Sequence, residues 1–231
     1  MNYYESPATV ADIPESGRAA FIRRTYGHLA GAVAAFVVLE TLLITSGAGK
    51  ALAGLMLGWR WTWLIVLGGF MLVSQVATSW AASSVKRSTQ YAGLGLYVVA
   101  ESIIFAPLIM VALSIDPQLL GKAMLITVGL FVGLSWVAFA TKKDFSFLGG
   151  FLKIAGMVAL ATIVASLLFG FSLGTLFCVL MVALVGGTIV YQTSNVIHHY
   201  HPDQHVAASL ALFASFATLL WYVIQIVMDR D

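Results

Sequence analysis

Two carboxylates, Glu40 and Glu101, fall inside long apolar runs of this 231-residue chain. An acid at membrane depth costs several kcal/mol, about 2.5 to 3.5 for Asp on insertion scales, and so marks a candidate site. Glu101 has Pro107 six residues after it, expected to kink the helix and free a carbonyl nearby. No Lys or Arg stands mid-span beside it, so Glu101 is either protonated or faces water or a cation. Either state couples it to pH. Glu40 lies toward the outer end of its run, within reach of the interface.

A second set of polar groups is periodic. Gln192, Asn195 and His199 recur at helical spacing, as do Ser215, Thr218, Tyr222 and Gln225 beyond Pro202. In lipid these stripes must face protein or water. Glu101, Gln192, Asn195, Ser215, Thr218 and Glu40 are therefore the candidate ion or proton path. His198, His199, His201 and His205 cluster with Asp203 around Pro202, which is expected to break the helix. Their spacing fits no strong metal signature, so no metal is assigned. A pH-responsive loop, or a merely structural one, fits better.

Catalysis has little support. There is no HExxH pair and no mid-span Asp pair. Ser194 or Ser209 beside a histidine is the nearest approach to a rhomboid-like arrangement. The chain is read as non-enzymatic.

The elements that must position these groups are membrane helices, because 60% of the residues are hydrophobic and only 10% are charged. A spanning helix needs about 20 apolar residues. The runs are Phe21–Ser46, Trp61–Ser84, Tyr91–Leu113, Leu119–Ala140, Phe147–Phe169, Leu173–Val196 and Val206–Met228, which makes seven. The expectation is an all-α membrane protein. Short connections predict that sequential helices are antiparallel neighbours within one domain, 18–231. Residues 1–17 read as a polar, mobile tail rather than a signal peptide.

Lys and Arg at the span ends divide eight to four in favour of an N-terminus inside. The net charge of +2, without a basic run, excludes nucleic acid as a partner. Cys178 is the single cysteine, so no intrachain disulfide forms. Gly93, Gly95, Gly149, Gly150, Gly156, Gly186 and Gly187 are expected where helices pack closely, and Trp59, Trp61, Trp63 and Trp80 in an interfacial belt.

The run Thr141-Lys142-Lys143-Asp144-Phe145-Ser146-Phe147-Leu148-Gly149-Gly150-Phe151-Leu152 resembles the TxxDxSxLGxxL segment that opens the fifth span of the Bax inhibitor-1 family. Glu101-Ser102 with Pro107 is similar to its third-span pattern, with Ser102 in place of Gly. Tyr191-Gln192-Thr193-Ser194 and the stretch Val206–Phe213 resemble its last two spans. The resemblance implies a seven-helix bundle with the last helix central. It also implies a pH-sensitive calcium leak or a stress-protective role; some bacterial members are linked instead to a membrane-bound AAA protease. It implies no cofactor beyond transient calcium, and a bacterial inner membrane with the N-terminus cytoplasmic. The aspartate pair of the calcium-leak members falls on Gln192 and Ser215, neither of which can titrate.

Overall fold

A computed structural model describes residues 9–83, 86–141 and 143–230. Eight helices account for nearly all of them: α1 (Glu15–Thr45), α2 (Ala48–Leu57), α3 (Arg60–Ala81), α4 (Arg87–Ile115), α5 (Leu119–Thr141), α6 (Leu148–Phe169), α7 (Gly174–His198) and α8 (His205–Met228). Seven are long and apolar enough to cross a membrane. A helix is what such sequences must form in lipid, where every backbone group has to be satisfied within its own segment. Pro107 lies inside α4, which runs on to Ile115.

Helix α2 lies between the first two apolar runs and belongs to neither. Ten residues are too few to span, and the helix folds back from α1 through Gly47, whose φ of 77° lies in the left-handed region. It packs on α1, α3 and α4.

Helix α8 is the hub, touching α1, α3, α4, α5 and α7. Aromatic pairs join it to its surroundings, with Phe213 against Phe36 and Tyr97, both at 6.1 Å between centroids, and Phe216 against Phe131 at 5.6 Å. Helix α6 is peripheral and touches only α3 and α7.

Sequential neighbourhood holds less widely than the short loops suggested. The first two spans, α1 and α3, do not touch, and neither do α5 and α6. The connection out of α5 is drawn under α7 instead: the Phe145 N–H donates to Ser194 Oγ at 2.9 Å, and that hydroxyl donates to the Lys143 carbonyl at 3.4 Å. Helix α7 therefore packs on both α5 and α6.

The expected glycine packing holds at some positions and fails at others. A Cβ on Gly93 would lie 2.5 Å from the Ala77 carbonyl oxygen, so α3 and α4 cross there in direct backbone contact. Gly149, Gly186 and Gly187 also meet neighbours, at 3.1 to 3.3 Å. Gly95, Gly150 and Gly156 meet nothing within 4 Å and pack no helix. Of the tryptophans, Trp63 stacks on Trp221, 5.9 Å away.

Residues 1–8 of the expected tail lie outside the described residues. The remainder is docked. Val10 is fully buried, its N–H donates to the Tyr200 carbonyl at 2.8 Å, and the Arg18 guanidinium donates to the carbonyls of Val10 and Ala11.

Candidate functional site

The two polar stripes meet along the α7–α8 seam. Ser215 Oγ donates to Gln192 Oε1 at 3.0 Å. Toward the start of α7 and the end of α8 the Cys178 thiol faces Gln225 Oε1 at 3.7 Å, and the Thr175 hydroxyl donates to the Asp229 carboxylate. Thr218 donates back to the Ala214 carbonyl at 2.8 Å. Such hydrogen bonds join helices for which lipid supplies little hydrophobic drive to associate.

Three clefts adjoin this seam. The first, about 500 Å³, near the end of α8, is bordered by Trp59, Trp63, Pro107, Trp221, Tyr222 and Gln225, among others. It shares Trp63, Ile163, Trp221 and Tyr222 with a second cleft of about 200 Å³, which Glu101 lines. Thr218 lines that second cleft and also a third, about 220 Å³, where Thr188 and Ser215 stand. The row therefore runs from the end of α8 past Glu101 to Ser215, whose hydroxyl bonds Gln192. Glu101 is 6% exposed, and its carboxyl interacts with the Tyr97 hydroxyl one turn earlier.

Glu40 does not join this row. It is 5% exposed, far from free at the interface, and both carboxyl oxygens lack a hydrogen-bond partner. Burial on the face of α1 that also buries Phe36 explains the difference, since α1 packs that side on its neighbours. Asn195 contributes its carbonyl, which accepts from the N–H groups of His199 at 2.8 Å and Tyr200 at 3.1 Å. This closes the end of α7.

The histidines separate rather than converge. His199 Nε2 lies 3.0 Å from Asp144 Oδ2, with both side chains 46% exposed. This contact and the Ser146 N–H lower the Asp144 pKa to about 2. His201 Nδ1 is 3.8 Å from Asp203 Oδ2. His198 Nε2 is buried without a partner. His205 belongs to the first turn of α8 rather than the loop; it is buried, its Nδ1 is unpartnered, and its ring packs 5.1 Å from His28. Among the described residues no three His, Cys, Asp or Glu side chains are placed to hold a metal ion.

Three contacts escaped the sequence reading. Asp144 pairs with His199 from 55 residues away, the His28 Nε2 lies 3.1 Å from the Tyr91 hydroxyl, and Tyr26 and Thr193 hydroxyls meet at 3.2 Å. Only Asp144, inside the TxxDxSxLGxxL run, carried a signal. The turn Gly170-Phe171-Ser172-Leu173-Gly174 reads GxSxG, but it joins helices α6 and α7 and follows no strand, so it is not a nucleophile elbow. Ser209, the other imagined nucleophile, lies buried near carbonyls, 2.6 Å from His205 O and 2.8 Å from Thr25 O.

Seven membrane-length apolar helices, one of them the buried, polar-striped α8, define a multi-pass integral membrane protein. Residues 18–231 match the family profile described as inhibitor of apoptosis-promoting Bax1. The chain belongs to the Bax inhibitor-1 family. It is 27% identical over 236 positions to Bax inhibitor 1 of Schizosaccharomyces pombe, covering 98% of this chain and 82% of that one. Part of it is 33% identical to an uncharacterised protein of Pseudomonas aeruginosa, covering 46% of this chain and 47% of that protein. Another match, 27% identical, is to the Golgi anti-apoptotic protein of vaccinia virus, covering 56% of this chain and 54% of the viral one.

Proposed function

We propose that this protein is a proton-regulated cation leak with a stress-protective role, calcium being the ion that the family resemblance implies. The supporting observation is the row of clefts that brings Glu101 and Thr218 to one space and ends at the Ser215–Gln192 bond. Glu101 supplies the carboxylate that Gln192 and Ser215 lack; a hard cation requires oxygen ligands of this kind. The names of the yeast and viral relatives support the protective role. The excess of Lys and Arg at the inner span ends supports a cytoplasmic N-terminus, and a bacterial inner membrane is the setting we assign.

The test is calcium flux into liposomes carrying the purified protein, read across the range where histidines and buried carboxylates titrate. Wild-type flux is expected to change with pH, and Glu101→Gln to abolish the flux or flatten its pH profile without unfolding the protein. Unchanged flux in the variant at every pH would overturn the proposal.

A second reading is favoured by one observation: the Ser215–Gln192 bond is neutral and closed. On this reading the protein conducts nothing and instead restrains a membrane protein such as a membrane-bound AAA protease. Its sign would be no flux above empty liposomes, together with partner capture that is lost on deleting residues 1–8, a truncation that leaves Val10 in place.

A further inference from the structure

The α1–α4 face carries a groove of about 690 Å³ that the ion path does not use. This is within the roughly 300–1,000 Å³ of ordinary ligand sites. Gly27 and Gly31 of α1 and Gly95 of α4 line it, and a Cβ on any of the three would meet nothing within 4 Å. They contrast with Gly93, two residues from Gly95, where backbone contact demands a glycine. Each helical glycine costs about 1 kcal/mol relative to alanine. At these three positions no helix contact offsets that cost, and their effect is to keep a concave wall open toward the membrane.

The groove is polar at one end only. Arg24, His28 and Tyr91 line it there, and no acidic residue lines it anywhere. His28 is fixed by its Nδ1–H donating to the Arg24 carbonyl at 2.6 Å and by the Tyr91 hydroxyl 3.1 Å from Nε2. The Arg24 and Arg87 side chains are both exposed and both within electrostatic reach of the neighbouring His205, as is one carboxylate, Asp203. The local balance is cationic. Leu39 and Val99 close the far, apolar end.

We propose that this groove holds one anionic phospholipid, with its phosphate at Arg24 and an acyl chain laid along Gly27, Gly31 and Gly95. The dimensions suit one leaflet. At 1.5 Å per residue Arg24 and Leu39 are about 22 Å apart along α1. Half of a hydrocarbon core of about 30 Å, plus one headgroup layer, is close to the same length. Arginine meets phosphate with two parallel donors, and a tyrosine at this depth belongs to the interface. A net-negative headgroup is preferred over a zwitterionic one because the groove offers cations and lines no anion against them. The arginine-bearing end faces the leaflet that carries anionic lipid when the N-terminus is cytoplasmic.

The experiment is native mass spectrometry of the intact protein released from micelles doped with equal amounts of phosphatidylglycerol and phosphatidylcholine of matched chains. Wild type is expected to retain a single phosphatidylglycerol in preference to phosphatidylcholine. Gly31→Leu fills the groove and should lose the retained lipid. Arg24→Gln, on an exposed side chain, should weaken the preference roughly tenfold, the worth of one charge-assisted hydrogen bond. Gly133→Leu, at an equally open glycine on α5, should behave as wild type. Thermal melting of each variant confirms folding, and Gly27→Leu repeats the groove test should Gly31→Leu melt early. Equal retention of the two lipids, a smear of stoichiometries typical of annular lipid, or a groove-filled variant that keeps its lipid would each overturn the proposal.

Discussion

Two of the contacts that tie α7 and its C-terminal cap to their neighbours, seven residues apart at Gln192 and His199, use opposite chemistry. At Gln192 the partner is Ser215 at 3.0 Å, a neutral bond in the bundle interior. At His199 the partner is Asp144, also at 3.0 Å, in a half-exposed contact that is ionic when the imidazole is protonated. In the low-dielectric interior an uncompensated charge is expensive, so a neutral amide and a hydroxyl are the economical pair. At the rim, water solvates both partners, so an acid and an imidazole are tolerated but contribute little. In this chain the interior of the seam is fixed and the rim is where charge resides. On the function proposed above, the titrating role inside falls to Glu101, on a different helix.

The strongest way to break this contrast is to install carboxylates at both interior positions, Gln192→Asp with Ser215→Asp. Two carboxylates at this spacing share one proton, and one of them has a raised pKa. A carboxyl whose folded-state pKa is raised contributes stability below its unfolded pKa and loses it as pH rises. The double variant should therefore melt at progressively lower temperature as pH rises from 4 toward 8, by about 1.4 kcal/mol for each pKa unit separating the folded and unfolded carboxyl. It should also acquire a pH-dependent step in calcium flux. A melting temperature independent of pH would mean that the interior is wet enough to ionise both groups.

A smaller effect is expected from Ser215→Ala, which leaves Gln192 Oε1 without its donor. Interhelical hydrogen bonds in membranes average about 0.6 kcal/mol, reaching about 1.7. A reversible unfolding titration in mixed micelles should find a loss in that range.

The smallest global effect belongs to the rim. The lowered pKa of Asp144 means that its contribution is complete above the ordinary carboxylate range and is lost only as pH falls from about 4 toward 2. The sign is opposite to that of the engineered interior pair. Asp144→Asn should leave the melting temperature almost unchanged, while protease cleavage within residues 143–147 should quicken. If Glu101 alone sets the pH response, this variant should also leave the pH profile of flux between pH 6 and 8 unaltered. A profile that moved would transfer the titrating role from Glu101 to the rim.

Much of the architecture was legible because the bilayer imposes its rules on sequence directly. All seven spans appear within a few residues of the apolar runs, except that α1 begins six residues before Phe21, at Glu15. The stripe on α8 was legible for the same reason: Ser215 and Thr218 have no aqueous face to occupy. Nothing local announced α2, which spans no membrane, or the burial of Glu40 beside its orphaned oxygens. The histidines read as one cluster because they are close in sequence. The helix start at His205 then sends one of them into the core while His199 turns to Asp144.

The sequence by itself determined that the chain lives in a membrane, where it crosses, and which side chains must be turned away from lipid, since each follows from the cost of desolvating polar groups. Which crossing is central was expected from the family resemblance alone; the apolar pattern does not decide it, and tertiary structure does. Helices α6 and α8 are both strongly apolar, yet 6% of the apolar window of α6 is buried against 61% in α8. Lipid and protein are almost equally good solvents for Leu and Phe, so hydrophobicity does not rank helices within a bilayer. Close packing and a few long-range hydrogen bonds do, and these exist only once distant segments have met.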